Sequence, residues 1–326
     1  MNEKKSLQKY AVETISLTKE YNKTPAVNHL DMKVREGAIY GFIGRNGAGK
    51  STTLKMLCGL AKPTSGEIRI YDKSVVDPYV AKRVGCLIES AGLYPNMTAR
   101  QNMIMKAKCL GLADSGLQGQ SQENSVDKIL SLTGLSNTGN KKTKFFSMGM
   151  KQRLGIAIAL LGNPDLLILD EPINGLDPEG IREIRQLLLK LNEEGKTLII
   201  SSHILGELSK ISTHYGIIKD GVLVEQISRE SLEQKCKSYF QLEVDNISHA
   251  LPLITEHTPG VRTEVYDNRT LRIYDLSDGT WLHQLLAENH IQIYSSGFHH
   301  MDLEEYFLAR MDGQTHTASQ GGNENV

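Results

Sequence analysis

Eight consecutive residues, Gly44-Arg45-Asn46-Gly47-Ala48-Gly49-Lys50-Ser51, follow the order glycine, four spacers, Gly-Lys-Ser that cradles phosphate. Glycine lets the backbone curl until successive N–H groups converge on one anion. A helix starting there adds its partial positive charge. Lys50 can then reach β- and γ-phosphates, and Ser51 can offer its hydroxyl to Mg²⁺. A glycine-rich structural turn is the competing reading; the ending Gly-Lys-Ser-Thr, through Thr52, favours the phosphate site. The spacing therefore predicts binding of a nucleoside triphosphate.

A second group supplies carboxylates. Leu166-Leu167-Ile168-Leu169-Asp170-Glu171 is an apolar strand followed by two acids. Residues just past a buried parallel strand emerge at the sheet edge where ligands bind. Asp170 is placed to hold Mg²⁺, directly or through water. Glu171 points differently, because side chains alternate along a strand, and can polarise a water for in-line attack on a γ-phosphate. A strand running into a solvated acidic turn would look the same in isolation. It is the preceding phosphate loop that favours the catalytic reading.

These groups need a sheet to hold them. Residues 12–17, 39–43, 67–71, 84–88, 166–169 and 197–201 read as strands, the last two as buried parallel ones. Residues 51–60 read as the helix behind the phosphate loop. Residues 181–191 form an amphipathic helix, opened by Asp177-Pro178-Glu179 and closed by Gly195. Alternation of this kind predicts an α/β core with helices against a sheet. Residues 101–135 look like an inserted helical region, interrupted by a polar, flexible stretch at 113–124. Beyond about 227 the alternating segments 239–244, 271–274 and 291–294, with helical segments 281–287 and 303–311, read as a small α+β domain. The expected domains are thus 1–226, with a helical subdomain at about 90–160, then 227–311, then a disordered tail at 312–326.

Composition narrows the functional classes. The 326 residues carry 37 Lys+Arg against 38 Asp+Glu, a net charge of −1, which does not suggest a nucleic-acid binder. The short basic run Lys141-Lys142-Thr143-Lys144 reads as a solvated loop. Cys58, Cys86, Cys109 and Cys236 form no Cys-x-x-Cys pair and read as reduced thiols. His283, His290, His299 and His300 match no common zinc spacing. Met1-Asn2-Glu3-Lys4-Lys5 leads into no apolar stretch, so no signal peptide is expected. The apolar runs are too short to cross a bilayer. If the chain serves a membrane process, another chain supplies the channel.

Between the two motifs lies Phe146-Ser147-Met148-Gly149-Met150-Lys151-Gln152-Arg153. The order of phosphate loop, this run, acidic strand and then His203 resembles the ATP-binding cassette (ABC) ATPases over roughly residues 10–225. The resemblance implies ATP and Mg²⁺ as cofactors and an ABC-type P-loop core with an inserted helical subdomain. It implies that Tyr21 stacks on adenine, that Gly44, Gly49, Lys50, Ser51 and Thr52 hold phosphate, and that Asp170 and Glu171 are the metal-holding and catalytic carboxylates. His203 would contact the γ-phosphate, and Asn174-Gly175-Leu176-Asp177 would be the loop that crosses to a partner subunit.

Two departures from the family pattern stand out. The family's Leu-Ser-Gly-Gly-Gln keeps only Ser147 and Gly149 here, with Met148 and Met150 in place of Gly and Gln. Ser147 can still cap the helix running to residue 161 and offer its hydroxyl to phosphate, while Gly149 permits close backbone approach. Glu89 stands where most of the family has glutamine, and a carboxylate there can still bind Mg²⁺. Together with the C-terminal segment Leu303-Glu304-Glu305-Tyr306-Phe307-Leu308, these departures resemble the bacitracin- and lantibiotic-resistance branch, over nearly the whole chain. That branch implies an ATPase at the cytoplasmic face of the membrane, driving a separate integral-membrane permease that removes peptide antibiotics. The resemblance to ABC ATPases further implies a head-to-tail homodimer with two ATPs at the interface, and with the balanced charge no nucleic-acid partner is expected. A soluble, non-transport ABC ATPase acting on a macromolecular complex is the alternative; a regulatory module in which ATP only switches shape is a third.

Overall fold

A computed structural model describes residues 9–112, 120–236, 238–276, 278–300 and 303–312. Residues 113–119 of the expected flexible stretch, and the expected tail beyond 312, lie outside the described residues. The chain divides into two units, Met1–Arg229 and Glu230–Val326. In the first, the strands are β1 (Tyr10–Tyr21), β2 (Thr24–Leu30), β3 (Lys33–Arg35), β4 (Ile39–Ile43), β5 (Ser65–Ile70), β6 (Lys73–Ser74), β7 (Val84–Leu87), β8 (Leu166–Leu169), β9 (Thr197–Ser202), β10 (His214–Lys219) and β11 (Val222–Ser228). The helices are α1 (Lys50–Leu57), α2 (Pro78–Ala81), α3 (Ala99–Cys109), α4 (Gln120–Leu132), α5 (Met148–Ala159), α6 (Pro178–Glu193) and α7 (Leu205–Leu208).

The core sheet has the order β11-β10-β4-β9-β8-β7. Strands β10, β4, β9, β8 and β7 are parallel, and β11 closes one edge antiparallel. Every residue of β4, β8 and β9 is buried, so these strands are continuous apolar runs rather than alternating ones. The order matters for chemistry: β9 comes last of the three in sequence but lies between β4 and β8. Ile43 pairs with Ser202, and Leu169 pairs with Ile200. The segments leaving the C-terminal ends of β4, β8 and β9 therefore emerge side by side.

A second, antiparallel sheet of order β2-β1-β5-β6, with β3 also on β1, carries Tyr21 at the end of β1. Irregular register between Leu17 and Glu20 bends that strand where it pairs with β2. Helices α3, α4 and α5 share a core of their own, built from residues such as Met103, Val126, Leu130 and Leu154. A capping box at Thr98 and Gln101 starts α3. The run at 141–144 is not a free solvated loop. Thr143 is buried, its Oγ1 donating to Tyr94 O at 2.8 Å and its N–H to Met97 O at 2.9 Å, while Lys141 and Lys144 remain exposed.

The second unit begins with the rest of α8 (Arg229–Lys235) and contains β12 (Ser238–Val244), α9 (Ile247–His257), β13 (Thr263–Val265), β14 (Thr270–Tyr274), α10 (Thr280–Glu288), β15 (Ile293–His300) and α11 (Leu303–Asp312). Its sheet runs β13-β14-β12-β15. Phe240, Leu242, Leu271 and Ile273 on one face pack with Ala250 and Ile254 of α9 and Leu282 of α10. Buried Arg272 reaches Glu305 of α11 at 2.6 Å.

Several boundaries differ from expectation. Helix α1 stops at Leu57 rather than 60, because the chain turns left-handed at Gly59 (φ 69°). Helix α5 ends at Ala159, two residues short of 161. The polar stretch at 113–124 is already helical from Gln120. The last strand begins at Ile293 and continues to His300, while Ile291 belongs to the core beneath it. Helix α9 was not anticipated; Asn246 caps it and Pro252 lies inside it. Cys58, Cys86, Cys109 and Cys236 are free thiols. Among the described residues, no helix is long and apolar enough to cross a membrane.

Because β9 is the middle strand of the three, its core side chains should dominate stability. Ile199→Ala, at a fully buried position, should lower the unfolding free energy of the first transition in denaturant by about 2–5 kcal/mol. Val76→Ala, 82% exposed, should change it by less than about 0.5 kcal/mol. Equal effects would contradict the placement of β9.

Candidate functional site

The phosphate loop spans the gap between β4 and α1. Gly49 is the N-cap of α1 with φ 105°, a conformation that L side chains rarely adopt. A Cβ there would stand 2.5 Å from Ala26 O, and one at Gly44 would stand 2.5 Å from Ile218 O. The loop thus uses glycine where a side chain would fill the turn. Arg45, Asn46 and Gly47 are exposed, whereas Ala48, Gly49 and Lys50 are buried. Lys50 is the first residue of α1 and only 6% exposed. Its Nζ donates to Gly44 O at 2.6 Å and to Arg45 O at 3.3 Å. The same Nζ lies 3.6 Å from Glu171 Oε1.

Glu171 follows β8 and Asp170, at φ 48°. A non-glycine residue in the left-handed region is strained, and such strain concentrates at functional sites. Glu171 Oε2 lies 2.8 Å from Nδ1 of His203, which follows β9. With Glu171 ionised, that Nδ1 carries the hydrogen and donates it. Glu171 Oε1 is buried and accepts no hydrogen bond. Lys50, from the helix after the β4 loop, and His203, from the end of β9, therefore both reach Glu171.

Ser201, on β9, ties the two acids together. Its Oγ donates to Asp170 Oδ1 at 2.5 Å and accepts from the Glu171 N–H at 2.9 Å. Asp170 is only 6% exposed, so this bond fixes the direction of its carboxylate. On the other side, Glu89 follows β7 at φ 59°, and its Oε1 lies 2.5 Å from Lys55 Nζ on α1. The Glu89 hydrogen bond holds the Lys55 ammonium above its ordinary pKa, against partial desolvation, and the carboxylate charges of Glu89 and Asp170 add to it. Ser201 and Lys55 escape sequence reasoning. Neither belongs to a spaced motif; each is recognised only by what lies across a strand or a loop from it.

The remaining candidates stand apart from this cluster. Tyr21 is 49% exposed at the end of β1, with Lys19 Nζ 5.0 Å from its ring. Ser147 caps α5, accepting from Met150 N–H at 3.2 Å, and is exposed. Gly149 sits in the first turn of α5, and its Cβ position would meet only Leu176, at 3.8 Å. Asp177 caps α6, as its position before Pro178 suggests, accepting from Gly180 N–H at 3.1 Å. A cleft of about 540 Å³ lies between the Glu89 loop and the start of α5, lined by Glu89, Leu93, Lys144, Met148 and Lys151 among others.

The donors suit a triphosphate with Mg²⁺. Among the described residues no three His, Cys, Asp or Glu side chains group to cage a metal ion by themselves. Mg²⁺ asks for less, one or two carboxylates plus substrate phosphates. Ser51, Asp170 and Glu89 offer a hydroxyl and two carboxylates, and Glu171 Oε1, ion-paired with Lys50 at 3.6 Å, is a buried acceptor that takes no hydrogen bond.

Ser201→Ala removes both bonds that join Asp170 and Glu171. The variant should lose about 1–3 kcal/mol of unfolding free energy in denaturant, since it leaves a buried carboxylate oxygen and an amide unpaired. A loss under about 0.5 kcal/mol would show that the bridge carries no weight.

Comparison with known proteins agrees with this geometry. The family model described as "ABC transporter" matches residues 27–174. The bacitracin transport ATP-binding protein BcrA of Bacillus licheniformis is 40% identical over 308 residues, covering 93% of this chain and 98% of that protein. The lantibiotic transport ATP-binding protein SrtF of Streptococcus pyogenes is 40% identical over 222 residues, covering 67% of this chain and 93% of that protein. Among solved structures, a dimeric ATP-binding cassette in a post-hydrolysis state, bound to ADP and Pi, superposes with a TM-score of 0.61 at 27% identity, over 67% of this chain and 98% of that one. With the phosphate loop, the acid pair and His203 converging on one sheet edge, the chain belongs to the ABC transporter family, as an ATP-hydrolysing ATP-binding subunit.

Proposed function

We propose that this chain drives a separate integral-membrane permease, from the cytoplasmic face of the membrane, to export peptide antibiotics or similar amphipathic compounds. Relatives named for bacitracin and lantibiotic transport, matched over most of their length, support the cargo class. The convergence of Lys50, Glu171 and His203 carries the mechanism.

ATP is held with its adenine on the exposed Tyr21 ring and its phosphates in the loop from Gly44 to Thr52. The N–H groups at the start of α1 and the Lys50 ammonium meet the β- and γ-phosphates. Lys50 then exchanges its contact with Glu171 for phosphate oxygens. That exchange releases Glu171 Oε1, already buried and without a hydrogen bond, to accept from the attacking water. His203 holds the other oxygen of Glu171 in place and stands beside the γ-phosphate. Ser51, Asp170 and Glu89 would hold Mg²⁺, which when bound would neutralise charge on the triphosphate. Catalysis is positioning and charge stabilisation rather than covalent chemistry.

One copy carries one phosphate loop and one α5 start, so the ATP is shared between two copies arranged head to tail. Ser147 and Gly149 of one copy close over the γ-phosphate bound to the other. A cassette at 27% identity whose structure is dimeric and bound to ADP and Pi supports the pairing of two copies. ATP favours the closed pair, and hydrolysis removes that preference. The cleft beside Glu89 is open, has an apolar wall at Leu93 and Met148 and is fringed by lysines, which suits a cytoplasmic segment of the permease.

Isolated in mild detergent from membranes of its host, the chain is expected to bring down a multi-spanning protein in a fixed ratio. Its ATP hydrolysis should then rise when a peptide antibiotic is added. Recovery only in the soluble fraction, on ribosomes or another macromolecular complex, would contradict the export reading and favour the soluble alternative.

A further inference from the structure

Glu89 brings a negative charge to a site that must accept a triphosphate. Each of the other two acids has its own stabilising partner: Glu171 faces Lys50, and Asp170 takes the Ser201 hydroxyl. For Glu89 that partner is Lys55, at 2.5 Å. Lys55 follows Ser51 by four residues, one turn along α1, so the ammonium and the hydroxyl project from the same side of the helix. The carboxylates acting on Lys55 are those of Glu89 and Asp170, both parts of the proposed nucleotide site. Glu89 itself is 65% exposed and left-handed, so packing does little to hold it, whereas Lys55 is 33% exposed on a regular helix. The helix is the fixed side of the pair, and the loop is the side being held.

We propose that Lys55 is a positioning residue of the nucleotide site. It holds the Glu89 carboxylate against α1 and offsets its charge against the incoming triphosphate. This deepens the reading in which Glu89 faces the bound nucleotide, and rests on it. A neutral glutamine at 89 would need no such counter-charge. The pair Glu89 and Lys55 therefore acts as a unit, and the loss of Lys55 should matter only while position 89 is acidic.

The test is a double-mutant cycle on the full chain, with ATP affinity measured by calorimetry first in EDTA and then along a Mg²⁺ titration. In EDTA, Lys55→Gln should weaken ATP binding about threefold to fivefold, the scale of a part-exposed charge pair. Lys55→Arg should retain wild-type affinity. Lys55→Gln in the Glu89→Gln background should bind within about twofold of Glu89→Gln alone. The Lys55→Gln deficit should also shrink as ionic strength rises, which a purely structural role would not produce. Lys55→Met, which keeps the aliphatic stem, repeats the measurement if the glutamine variant folds poorly. No loss on removing Lys55, or an equal loss with glutamine at 89, would overturn the proposal. The Mg²⁺ arm tests the underlying assignment separately. If Glu89→Gln leaves the Mg²⁺-dependent gain in ATP affinity unchanged, Glu89 is no metal ligand, and the EDTA cycle still decides the role of Lys55.

Discussion

Lys50 and Glu171 meet 3.6 Å apart, the lysine 6% exposed and the glutamate 20%. At an effective dielectric of about 20 that attraction is on the order of 4 kcal/mol before desolvation is subtracted. Such a pair is strong enough to order the site and weak enough to yield to a triphosphate, which offers several charged oxygens at once. The contact exists because of sheet order. The strand ahead of the phosphate loop and the strand ahead of the acids flank β9, which delivers His203 and Ser201 between them. Strands inserted among these three would separate the residues along the edge.

Much of this was legible in the sequence because it is local. Gly44 to Ser51 encode their own turn, and the apolar run 166–169 announces a buried strand that must end in a charged pair at its exit. Asp177 before Pro178 and Ser147 before Met148 signal helix starts, and both cap as expected. What stayed hidden is long-range. Ser201 looks like filler before His203 until β9 is set beside β8. Lys55 looks like a solvent-facing residue until the loop after β7 folds back to it. Helix α9 was hidden because Pro252 interrupts its pattern, although Asn246 caps it and its buried face holds Ile247, Ala250 and Ile254. The ends of α1 and α5 were overestimated because the apolar pattern continues past the point where the backbone turns away.

Strain sharpens the picture. Glu89 and Glu171 both sit in the left-handed region, at φ 59° and 48°, and each is held by a lysine of α1. One short helix thus supplies the lysine proposed to grip phosphate, the candidate metal hydroxyl of Ser51 and the counter-charge for Glu89. On the proposed mechanism, a triphosphate arriving at α1 alters the partners of both strained acids together. The loop at Glu89 also borders the cleft proposed for the permease, so on that mechanism a change of partner at the nucleotide would be felt where the membrane subunit would dock.

On the proposed mechanism each ATP is completed by a second copy of the chain. Two inactive variants test it: Lys50→Ala, which lacks the phosphate grip, and Ser147→Ala with Gly149→Asp, which lacks the closing surface. Mixed in equal amounts, half of the dimers are heterodimers and each contains one intact pocket, so ATP hydrolysis should reappear at up to roughly a quarter of the wild-type rate. No recovery on mixing, together with full hydrolysis by the Ser147→Ala, Gly149→Asp variant alone, would contradict the shared pocket.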